Sequence, residues 1–97
     1  MEPSQREEEA AVTMALNIDN ALSDTTEDFP GYTAHYTKVD GLWLVHFTGP
    51  QNQKILIEVL IRDGGIVMSI LNSKNMNRTE MEDIVNTFTS HLEIIPG

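Results

Sequence analysis

The sequence contains no cysteine, which removes disulfide frameworks, thiolate metal sites and cysteine nucleophiles together. Basic residues are scarce: six Lys and Arg stand against fifteen Asp and Glu, a formal charge of −9 with the histidines neutral. That balance argues against direct contact with nucleic acid or an anionic membrane, because both need cations to displace counterions or meet lipid head groups. No apolar run approaches the roughly 18–20 residues of a membrane-spanning helix. The opening residues, with Glu7, Glu8 and Glu9 close behind Met1, lack the basic and then apolar order of a secretory signal. A soluble, cytoplasmic protein is expected, and the acceptor-like triplet Asn77, Arg78, Thr79 is read as chance.

Ninety-seven residues, 40% of them hydrophobic and 22% charged, suit one folded domain spanning 1–97. The charge is unevenly spread. Residues 1–28 carry −7, residues 29–78 carry +2 and residues 79–97 carry −4. The two ends are acidic and the middle is mildly basic.

The N-terminal segment, 1–22, predicts a helix from Ser4 to Leu22, with Pro3 near its start and Glu7, Glu8 and Glu9 at the end where carboxylates favour the macrodipole. Ala11, Met14, Ala15, Ile18 and Leu22 share one face of it, and Val12 and Leu16 give it a second apolar side. Residues 23–31, polar and ending in Phe29, Pro30 and Gly31, read as a linker.

Residues 32–72 predict a four-stranded antiparallel sheet of two hairpins. Asp40 and Gly41 are a strong two-residue turn signal, since both positions must accept positive φ. The register follows: Val39 opposite Leu42, Thr37 opposite Leu44, Tyr36 opposite Val45, His35 opposite His46. A second hairpin turns at Asp63, Gly64 and Gly65. Ile55, Ile57, Val59 and Ile61 with Ile66, Met68 and Ile70 form a β-branched face suited to packing under helices. Trp43, Val45 and Phe47 are expected in the same core, the alternative for Trp43 being an interface anchor. The last helix, 77–93, carries the stripe Met81, Ile84, Val85, Phe88 and Leu92, with Asn77 and Glu80, or Thr79 and Glu82, as its capping pair. The order α-β-β-β-β-α predicts an α+β two-layer sandwich with both helices on the isoleucine-rich face.

The opposite face then needs a cover. Leu42, Leu44, Leu56, Leu60, Val67 and Leu71, with Val39, would form an apolar patch larger than a soluble monomer ordinarily exposes. The expected function is therefore a non-enzymatic protein–protein interaction module, an adaptor, complex subunit or small dimeric chaperone-like factor. Its partner would be another protein or a second copy, and a homodimer would bury the patch on itself. The alternative is an acidic inhibitor, such as a viral antagonist, whose carboxylates, Glu7, Glu8 and Glu9 included, occupy the basic groove of a nucleic-acid-binding protein.

No cofactor is expected. A minor alternative function is a metal-binding protein through His35 opposite His46, with Glu58 as the only third ligand that can be placed. The expectation for the pair is an aromatic cross-strand contact. His91 is expected to be a structural residue at the end of the last helix. No serine or threonine with a histidine and carboxylate, and no glycine-rich phosphate loop, gives a catalytic signature.

Overall fold

A computed structural model describes residues 14–96, in the order β1 (Met14–Leu16), α1 (Ile18–Asp28), β2 (Thr33–Val39), β3 (Leu42–Thr48), β4 (Lys54–Arg62), β5 (Gly65–Lys74), α2 (Arg78–His91) and β6 (Ile94–Pro96). The chain is of the α+β class. Strands β2-β3-β4-β5 form an antiparallel sheet in sequence order, and β1 pairs antiparallel with β6 in a second, two-stranded sheet.

Both hairpins turn on an Asp-Gly pair in the left-handed region, Asp40 and Gly41 at φ 48° and 83°, Asp63 and Gly64 at 54° and 76°. Such turns twist in the sense of the strands they join, and their two-residue length fixes the pairing. The expected register of the first hairpin is observed throughout, from Thr33 opposite Thr48 to Val39 opposite Leu42. Strand β3 then pairs with β4, with Trp43 opposite Val59, Val45 opposite Ile57 and Phe47 opposite Ile55. These six residues share one sheet face and all are buried.

The cover of that face comes from both helices. Ile84, Phe88 and Leu92 of the α2 segment, and Ile18, Ala21 and Leu22 of α1, join the six strand residues and Leu16 in one core cluster. The Phe47 and Phe88 rings meet edge to face with centroids 5.4 Å apart, a favourable geometry for the ring quadrupoles. Helix α2 opens with the expected capping box: the Asn77 side chain accepts from the Glu80 amide at 2.8 Å and the Glu80 carboxylate accepts from the Asn77 amide.

The N-terminal half departs from expectation. Residues 14–16 form a strand, and the helix runs Ile18–Asp28, through much of what reads as a linker at 23–31. The order over the described residues is thus β-α-β-β-β-β-α-β. The expected helix over 4–13, and with it Ala11 and Val12, lies outside the described residues. The run past residue 22 follows from Thr25, which is fully buried and extends the Ile18, Ala21, Leu22 stripe by one turn, while residues 14–16 are extended because they pair with Ile94–Pro96. Its hydroxyl donates to the Ala21 carbonyl at 2.6 Å, so a polar residue is buried with its hydrogen bond made. Pro30 disfavours helical geometry at Phe29 and ends the helix.

Asn17 precedes α1 but does not cap it. Its side-chain amide instead donates to the His91 carbonyl at 2.9 Å, its side-chain oxygen accepts from the Glu93 amide, and its own backbone amide donates to the Glu93 carbonyl at 3.2 Å. One residue thereby satisfies the frayed end of α2 from 74 positions away and ties β1 to β6. Asn17→Ala would leave the His91 carbonyl and the Glu93 amide without their side-chain partners and should cost about 1–3 kcal/mol. Thermal unfolding checks this; an unchanged midpoint would show that the clamp carries no stability.

Candidate functional site

The sheet face turned away from the helices is built from the other half of the alternation. Its rows across the strands read Thr33, Thr48, Lys54, Lys74 at one end, then His35, His46, Leu56, Asn72, then Thr37, Leu44, Glu58, Ser69, and finally Val39 beside Leu42 and Leu60 beside Val67 at the turns. Leu42, Leu44, Leu56 and Leu60 are half-buried by their neighbours, while Val39 and Val67 are 44% and 39% exposed. The face expected to be apolar is mixed, running from an apolar row at the turns through rows that carry His35, His46, Glu58 and Ser69 to a row with two lysines at the far end.

One expected member is displaced. A bulge between Leu56 and Ile57 makes β5 skip a residue: Ile57 pairs with Ile70, but Leu56 pairs with Asn72. Leu71, expected opposite Leu56, is the extra residue, 49% exposed, and Ile70 beside it is 45% exposed rather than buried as expected. A bulge inverts the alternation beyond it. Asn72 and Lys74 are thus set on the open face where an unbroken strand would put Leu71 and Ser73. Glu7, Glu8 and Glu9 lie outside the described residues.

The bulge creates a feature that alternation alone misses. Lys54 and Lys74 stand directly opposite each other on adjacent strands, an arrangement of like charges that is unfavourable by itself. Neither forms a salt bridge among the described residues. They border a concavity of about 190 Å³ whose lining includes His46, Thr48, Leu56 and Asn72. Lys38 differs, since its ammonium lies 4.8 Å from the centroid of the buried Trp43 ring.

His35 and His46 stack face to face, with centroids 4.6 Å apart and planes 4° from parallel. No set of three His, Cys, Asp or Glu among the described residues converges in a way that could hold a metal, so Glu58 does not complete a site with the pair. Partial burial, and then the charge of His35, hold the His46 pKa below the ordinary 6.5. His91 bridges to α1, its Nε2 lying 3.1 Å from Asp28 and its Nδ1 3.9 Å from Asp24. It has a structural role through these carboxylates as well as its place at the helix end. A wider groove between α1 and β2 is lined by Asp19, Thr26, His35 and Tyr36 among others.

Comparison with protein-family models, curated proteins and solved structures finds no match. No helix among the described residues is long and apolar enough to cross a membrane.

The histidine stack gives stability a definite pH dependence. His46 has a lower pKa folded than unfolded, so as pH falls the unfolded chain takes up the proton first. The contribution is whole above pH 6.5 and is lost as pH falls through the depressed value. Melting temperatures between about pH 7.5 and 5 should fall, and His35→Gln should flatten the slope by removing the opposing charge. An equal slope in that variant would contradict the coupling.

Proposed function

We propose that this chain is a non-enzymatic protein–protein interaction module that docks through the open sheet face. The supporting observation is the one-sided burial: α1 and α2 give their buried side chains to the core cluster with Val45, Phe47, Ile55 and Ile57, while Leu42, Leu44, Leu56, Leu60 and Val67 remain on the other face. We read the arrangement as a two-layer sandwich with one layer unpartnered. A row of leucines and valines beside a polar rim is the composition of a docking surface.

The partner is another protein or a second copy of the chain. A second copy related by a two-fold axis would pack the same patch on itself, with Lys54, Lys74 and Arg62 outnumbering Glu58 on each surface. Apolar attraction would then work against like-charge repulsion, which salt screens.

A second reading, an acidic inhibitor of a nucleic-acid-binding protein, draws on the exposed carboxylates of the helices, Asp19, Glu27, Glu82 and Asp83 among them. It requires binding through the helical layer and competition with nucleic acid. Asp24 and Asp28 are already engaged by His91, which weakens this reading relative to the first.

Sedimentation over a range of concentrations tests the open face. A weak dimer of about 22 kDa, twice the 10.9 kDa chain, should tighten with added salt and should be lost in Leu60→Glu. A dimer that loosens with salt and is indifferent to Leu60→Glu would place the contact elsewhere.

A further inference from the structure

We propose that the open sheet face takes an acidic peptide segment of another protein, whose carboxylates meet Lys54 and Lys74 and whose apolar side chains continue along the strands to Leu42, Leu60 and Val67. This rests on the open face being a docking surface and names what it docks.

Three observations point to that chemistry. The first is the lysine pair itself. Two cations held directly opposite, with no carboxylate to neutralise them among the described residues, are relieved by an anion that bridges both. The second is segregation of charge. The carboxylates of α1 and α2 belong to the helical layer, and the only acid along the open strands is Glu58, against Lys54, Lys74 and Arg62. A second copy brings the same cations to the contact, whereas an acidic segment complements them. The third is spacing. Lys54 and Leu60 are six positions apart on β4, about 20 Å along an extended strand. One short segment spans both ends.

The histidine stack lies between these ends. His46 and His35 share the second row with Leu56 and Asn72 and are flanked by Lys54, Lys74 and Glu58, with Asp19 of α1 across the groove beside His35. Neutral rings present a flat aromatic surface. Protonation of His46 adds positive charge next to the lysines, so acid conditions that weaken the fold strengthen its hold on carboxylates.

The test is an amide NMR titration with capped hexaglutamate, which probes the basic end alone, and with inorganic phosphate at equal charge. Hexaglutamate should shift Thr48, Lys54, Asn72 and Lys74 together with His46. Lys54→Gln with Lys74→Gln should weaken it about fivefold or more, and binding should tighten as pH is lowered below 6.5. Both lysines are exposed, so the double variant should keep the parent spectrum elsewhere. Shifts spread equally over Lys38, Arg62 and Arg78, or unchanged affinity in the double variant, would overturn the proposal. Matching shifts with phosphate would also overturn it, by making this a phosphate site. In either case a salt-strengthened dimer lost in Leu60→Glu would leave the docking face standing and remove only its acidic occupant.

Discussion

Two turns of two residues each decide which side chains this protein hides and which it offers. With Asp40, Gly41, Asp63 and Gly64 all at positive φ, each hairpin has a single pairing open to it. A slip of one residue would send Val45, Phe47, Ile55 and Ile57 to the outside and bring His46 and Glu58 under the helices. Burial of the β-branched face thus depends on the turns, and so does the open face, because the two are complementary halves of one alternation.

Much of this was legible in the sequence for that reason. Turn chemistry and period-two alternation are local signals, and they gave the pairing of His35 with His46 and the burial of Ile55, Ile57 and Val59 directly. The cap of α2 by Asn77 and Glu80 was legible on the same footing. The misreadings arose where a residue acts against its type. Thr25 reads as linker but is buried, because it bonds back to its own helix. Asn17 reads as part of a helix but clamps the far end of the chain. The Asn17 contacts depend on partners 74 and 76 positions away, which no local pattern encodes.

The candidate site was legible to the same depth. Leu42, Leu44, Leu56, Leu60 and Val67 follow from alternation alone. Lys74 does not, because the bulge at Leu56 and Ile57 changes the side on which the end of β5 falls. The bulge exposes Ile70 and Leu71 at the sheet edge, and it sets Lys74 opposite Lys54 on the open face where Ser73 would otherwise stand. An apolar patch accepts many surfaces, whereas charges at one end favour one direction and register of contact.

Docking through the sheet requires the helices to cover one side of it and leave the other open. Paramagnetic broadening of methyl resonances by a neutral gadolinium chelate, in dilute solution where the chain is monomeric, tests this most directly. Strong broadening of Leu44, Leu56, Leu60 and Val67 and protection of Val45, Ile57 and Val59 is the expected result. Equal protection of both sets would mean that the chain covers its own second face, and would contradict it.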